Sequence, residues 1–173
     1  MPGVMLCGER NRVVSALHGL AAAHPPQVIF IDSANCFDPH LLFRRFGAEA
    51  YELLERIRIS RPFTASQLVS ALHQARPLMG EKTLLIVSSL DVLLVDLPAV
   101  EQRRALADIE GLLSHLPGRI VVGRFGRLIN SRLFPGVVID GQDSAAAAQH
   151  RAAAARRAPQ VPACPPQGRP GAF

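Results

Sequence analysis

Six short apolar runs, spaced by longer segments of helical periodicity, constrain this chain more than any other feature. They are residues 4–8 (VMLCG), 28–32 (VIFID), 57–60 (IRIS), 83–88 (TLLIVS), 119–122 (RIVV) and 137–140 (VVID). Most carry apolar residues at consecutive positions, so both faces of each strand are buried, as in a parallel sheet covered on two sides. The intervening segments read as amphipathic helices. Val13, Val14, Leu17 and Leu20 share a face in a stretch closed by Pro25-Pro26. Asp38-Pro39 is an N-cap followed by proline at the first helical position. It opens a helix through Leu41, Leu42 and Phe43 that breaks at Gly47 and resumes to Arg56. Thr64 to Gln67 form a capping box before Leu68, Leu72 and Ala75. Leu106, Ile109, Leu113 and Leu116 recur at helical steps over residues 99–116. Strands alternating with helices predict an α/β fold: a mainly parallel sheet flanked by helices.

Past Gly141 large hydrophobic residues nearly vanish, and alanine, arginine, proline and glutamine dominate. The sequence therefore divides into a core domain, 1–141, and an Ala/Arg/Pro-rich tail, 142–173. In the tail, 144–157 has the composition of a transient helix, and the residues from Ala158 onward that of a disordered segment. The net charge of +5 is uneven. Residues 1–141 hold 15 basic and 13 acidic groups, leaving +2, and the tail holds the other +3. A nearly neutral core permits contact with nucleic acid without requiring it. Cys7, Cys36 and Cys164 are odd in number and lack metal-ligand spacing, which points to reduced thiols in a cytoplasmic or nuclear setting. No apolar run approaches the roughly 18 residues of a membrane span, so no membrane partner is expected.

Ligands of parallel α/β sheets bind beyond the carboxyl ends of the strands, and there the sequence resembles the RecA/RadA-type recombinases. Gly8-Glu9 resembles the start of that family's phosphate loop. Ile31 to Phe37, with Pro39, resembles its I-D-T-E-x-T-F-x-P stretch. Ile59 to Phe63 resembles its Y-A-R-x-[FY], and Gln67 and Leu68 continue the match. Leu84 to Ser89 resembles the second nucleotide-binding strand, L-L-I-V-D-S. The resemblance covers residues 4–140 and implies a RecA-like core. Vestigial nucleotide-site positions would then be Gly8, Glu9, Ser15, Asp32 and Ser88.

The departures carry as much information as the matches. A working phosphate loop needs glycines that let backbone N–H groups wrap the phosphates, a lysine for the β/γ oxygens and a hydroxyl for magnesium. Aligned without gaps, the family's G-K-T falls on Val13-Val14-Ser15, so the glycine and lysine are both valine. The resemblance places the catalytic glutamate at Ala34 and the magnesium-linked aspartate at Ser88. Alanine accepts no proton, and serine brings no charge. The expectation is a protein with no catalytic residues, no metal and no cofactor; ATP with magnesium enters only under the alternative of a weak DNA-dependent ATPase.

Several residues support two readings. Asp32 is a functional carboxylate or the cap of the following turn; Ser15 is a metal ligand or an early-helix serine. Cys36 beside Phe37 reads as packing, since no histidine is placed to activate it. The pairs Arg44-Arg45 and Arg103-Arg104 read as solvated helix surface. Residues 123–134 interleave Arg124, Arg127 and Arg132 with Phe125 and Phe134. In the resembled family the loop at this position contacts DNA, and arginines with aromatics suit single strands; the bland reading is a connecting helix. The expected role is binding in DNA recombination or repair, with single-stranded DNA, an active RecA-type recombinase or another paralog as partner. The other alternative is an interaction scaffold outside DNA metabolism.

Overall fold

A computed structural model of the chain describes residues 3–23, 26–125 and 136–138. The tail, Arg127, Arg132, Phe134 and the last two residues of the 137–140 run lie outside the described residues.

Each strand forms where the apolar runs predict it: β1 (Val4–Cys7), β2 (Gln27–Ile31), β3 (Ile57–Ser60), β4 (Thr83–Val87), β5 (Arg119–Arg124) and β6 (Gly136–Val138). They make one sheet in the order β3-β2-β4-β5-β1-β6, and every pairing is parallel. Ile31 lies level with Val87 on one side and Ser60 on the other. The carboxyl ends of β2, β3 and β4 therefore finish together.

Strand periodicity divides the core in two. Val28 and Phe30 of β2, Leu84 and Ile86 of β4, and Val121 of β5 face one way. They pack against α1 (Arg10–Ala23), α2 (Pro39–Phe46) and α3 (Ala50–Glu55). Ile29, Ile31, Leu85, Val87, Ile120 and Val122 face the other way. They pack against α4 (Ala65–Ala75), α5 (Asp91–Leu94) and α6 (Ala99–Ser114). Truncating one such buried leucine to alanine typically costs about 2–5 kcal/mol. The edge strand β3 departs from double burial: Arg58 and Ile59 are exposed.

The helix signals are met locally. Asp38 accepts a hydrogen bond from the His40 N–H at 2.8 Å, with Pro39 at the first helical position. Thr64 Oγ1 accepts from the Gln67 N–H at 3.2 Å, and Gln67 Oε1 accepts from the Phe63 N–H at 2.7 Å. The break at Gly47 is a 3-10 turn, Gly47–Glu49, between α2 and α3. Three details differ from the sequence expectation. Leu20 does not join the buried face of α1, which is Val13, Leu17, His18 and Ala21. The helix over 99–116 ends at Ser114, and Leu116 is buried from the loop beyond it. The one-turn α5 has no periodic signal, since four residues are too few to show one.

Candidate functional site

The segments carrying the resemblance all lie at the carboxyl edge of the sheet, where Gly8, Asp32 to Ala34, Arg61 and Ser88 come directly after β1, β2, β3 and β4. What they build there is not an open cradle.

At the end of β1, only Gly8 and Glu9 precede α1. The N–H groups of Arg12 and Val13 already bond to the Glu9 carbonyl, at 3.1 and 3.0 Å. Residues that would wrap phosphates in a glycine-rich loop are thus wound into helix, with their N–H groups turned onto the preceding turn. Val13 is wholly buried in the core, and the Val14 carbonyl accepts a hydrogen bond from His18 Nδ1 at 2.8 Å. Glu9 is exposed and pairs with Arg12 at 3.5 Å. Ser15 is exposed and lines a pocket between α1 and α2 that none of Asp32, Ser33, Ala34 or Ser88 lines.

At the ends of β2 and β4 most of the polar groups satisfy one another, while the buried Ser89 Oγ has no hydrogen-bond partner among the described residues. Asp32, 1% exposed, accepts from the N–H groups of Cys36 (2.8 Å) and Phe37 (3.1 Å) and from Arg61 Nε (3.2 Å). Its carboxylate caps the turn, the plainer of its two readings, and holds an ion pair as well. Asn35 within this turn has φ 47°, a left-handed conformation that asparagine tolerates better than most residues. Ser88 Oγ accepts from the Ala34 N–H at 2.9 Å and lies 3.3 Å from Ser33 Oγ. Ser33 Oγ in turn donates to the Ser89 carbonyl and accepts from the Ser89 N–H. Ser88 is fully buried, and its hydroxyl oxygen is occupied by the Ala34 backbone N–H. Cys36 has its thiol pushed up to about 12, first by burial and then by the Asp32 carboxylate, so it stays protonated and is not a nucleophile at neutral pH.

Three arginines close over this edge. Arg10 Nη2 donates to the Ala34 carbonyl at 3.1 Å, and its guanidinium lies 5.8 Å from the Phe125 ring centre. Arg61 Nη2 donates to the Phe37 carbonyl at 3.2 Å while its Nε holds Asp32. Arg124 Nε lies 3.8 Å from Asp91 Oδ2, and the two side chains are only 19% and 9% exposed. Of the residues read as a DNA-contacting stretch, Arg124 is engaged by the protein itself and Phe125 is packed partly against the core. A packed Phe125 is what the plainer reading of this stretch expects, while Arg124 differs from the exposed arginine of that reading because β5 runs on to Arg124 and carries it into the fold.

The roles of Ser33, Ser89, Arg10 and Arg61 escape a reading of the sequence alone. The consecutive polar pair Ser88-Ser89 after an apolar strand, and Ser33 directly after Asp32, are the signals it offers. His18 is missed in the same way. It is buried, stacks on Phe37 at 5.2 Å and accepts from the Asp38 N–H at 3.0 Å through Nε2. It thus ties α1 to the cap of α2. Among the described residues no three His, Cys, Asp or Glu side chains group as a metal site, and no helix is long and apolar enough to cross a membrane.

No protein-family model matches the chain, and no curated protein matches it.

Proposed function

We propose that the protein is a non-catalytic RecA/RadA-like paralog, a binding module of DNA recombination or repair that engages an active recombinase or DNA without turning over ATP. The observation that carries this reading is the Ala34–Ser88 hydrogen bond at 2.9 Å. The two positions that the resemblance assigns to base and metal support are bonded to each other and buried. The helical winding of residues 10–15 and the engagement of Asp32 by Arg61 support the same conclusion. Within this reading a protein partner is favoured over DNA, because Arg10, Arg61 and Arg124 all hold acceptors of their own chain.

The test is phosphate release from ATP, with and without single-stranded DNA, beside the effect of the protein on the ATPase rate of an active RecA-type recombinase. A base or an oxyanion-stabilising group typically contributes about a hundredfold or more to rate, so no turnover is expected from the chain alone, with a measurable change in the recombinase. Turnover by the purified chain would establish the ATPase alternative. Binding to neither recombinase nor DNA would leave the scaffold alternative.

A further inference from the structure

We propose a second, separate site: the pocket between α1 and α2 binds a small phosphomonoester through Arg45 and Ser15. The pocket measures about 210 Å³ and is lined by Ser15, His18, Leu41, Leu42, Arg44 and Arg45. Drug-sized ligands occupy roughly 300–1,000 Å³, so this space suits a phosphate bearing a few carbons and is too small for a nucleotide. Its inner wall is apolar, made by buried Leu42 and by the ring of His18. Both ring nitrogens of His18 are already engaged, by the Val14 carbonyl and the Asp38 N–H. The groups left to meet a ligand are a hydroxyl and two guanidinium groups.

The two arginines are not equivalent. Arg44 shares its charge with Asp38 at 3.7 Å. Among the described residues no carboxylate lies within ion-pair distance of Arg45. The Arg45 guanidinium sits 5.5 Å from the Phe46 ring centre. Its Nη1 also lies 3.3 Å from where a Cβ on Gly19 would stand. Cations at the end of a helix are favoured by its dipole, which explains two arginines in the last turn of α2. It does not explain a glycine in the interior of α1, where glycine is unfavourable by about 1 kcal/mol relative to alanine. The absence of a Cβ at Gly19 leaves Arg45 room to lie close over α1. Ser15 is four residues before Gly19, one turn along the same stripe. The hydroxyl and the carboxylate-free guanidinium thus border one small concavity of net positive charge, the donor set that recognises a phosphate oxyanion.

The experiment is calorimetric titration of the full chain with inorganic phosphate at constant ionic strength, repeated with glycerol phosphate and with oligodeoxythymidine. The expected result is saturable one-to-one binding of both phosphate probes. Arg45→Gln should weaken it about tenfold or more, equivalent to about 1.4 kcal/mol, with Arg45→Lys in between. Gly19→Ala separates the site from fold integrity. It should raise the thermal midpoint, because alanine favours the helix, yet weaken phosphate binding, because the new Cβ would crowd the guanidinium at 3.3 Å and shift it off its present position. Heats that never saturate, or variants that bind like the parent, would overturn the proposal. So would tight oligonucleotide binding lost on Arg45→Gln without saturable phosphate binding, which would make the pocket part of a nucleic-acid surface. None of these outcomes depends on ATP turnover or on a recombinase partner.

Discussion

Gly123 lies where β5 passes close against the backbone of Ser88, and replacing it by alanine gives the sharpest test of how tightly β5 and the end of β4 meet there. A Cβ at this position would stand 2.2 Å from the Ser88 carbonyl oxygen and 3.1 Å from Leu17 Cδ1. The first is backbone, so no side-chain rotation relieves it. Reaching even 3.0 Å requires the two strands to part by about 0.8 Å. The residues that would move with β5, from Ile120 to Val122, are buried in both cores. Overpacking of this kind costs about 1–3 kcal/mol and sometimes more, while the alanine narrows the unfolded ensemble by about 0.4–1 kcal/mol. The net expectation is a loss of about 2 kcal/mol, or roughly 6–10 °C in Tm for a core of this size. Gly111→Ala is the matched control, since its Cβ meets nothing within 4 Å on the exposed face of α6. It should stabilise by about 0.5–1 kcal/mol. Urea and thermal unfolding monitored by circular dichroism measure both. If Gly123→Ala unfolds at the same urea concentration as the parent, the strands do not meet this closely and the edge is not sealed as described.

Two further outcomes bear on the same edge. Asp32→Asn replaces a carboxylate that accepts from two N–H groups and Arg61, and should cost about 2–3 kcal/mol in urea unfolding, below the 3–5 of a fully buried pair because Arg61 is 45% exposed. A variant as stable as the parent would mean that the carboxylate is not holding the turn. Cys36, with its pKa near 12 instead of the usual 9.0, should react with iodoacetamide at pH 8 more than about tenfold slower than in the urea-unfolded chain, because the thiolate is the attacking form. Because its pKa is raised by folding, the folded state keeps the proton where the unfolded chain loses it, so this thiol destabilises the fold only as pH rises above about 9. Peptide mapping that finds Cys36 labelled as fast in the native protein as in urea would contradict this.

The fold was legible because its determinants are local. The strands over 28–32 and 83–88 announce themselves by uninterrupted apolar residues, and Asp38-Pro39 and Thr64 to Gln67 cap helices through partners two to three residues away. That Val13, Val14, Ala34 and Ser88 lack the chemistry the resemblance assigns to their positions was legible for another reason: a residue type without a needed group is visible without coordinates. What those residues do in the fold was not. The bonds that fill the edge join residues far apart in sequence: Arg10 to Ala34, Arg61 to Asp32, and Ser33 to Ser89. No period or spacing encodes such pairs. Arg124 shows the same limit from the other side. Its neighbours in sequence suggest a basic loop, while its position at the end of β5 sets it against Asp91 of α5, an element with no signal of its own.

The positions that the resemblance assigns to nucleotide chemistry all have structural work in this fold. Val13 fills the core beneath α1, where a phosphate-loop glycine would leave a hole. Ala34 offers its N–H to Ser88 and its carbonyl to Arg10, and is itself buried. Ser88 supplies the hydroxyl that receives that N–H in a fully buried setting, where an aspartate would bring an ionised group beside Asp32 and Cys36. Burying a second carboxylate there carries a penalty of several kcal/mol unless a cation accompanies it, and Arg61 is already held by Asp32. Single substitutions toward a nucleotide site would therefore meet a packed and hydrogen-bonded edge. Ser88→Asp is expected to break the hydrogen bond from the Ala34 N–H, and Val14→Lys to leave α1 wound as a helix. On this reasoning the edge is stable because it is closed, and a reactive nucleotide site would require reopening β2, β4 and the start of α1 together.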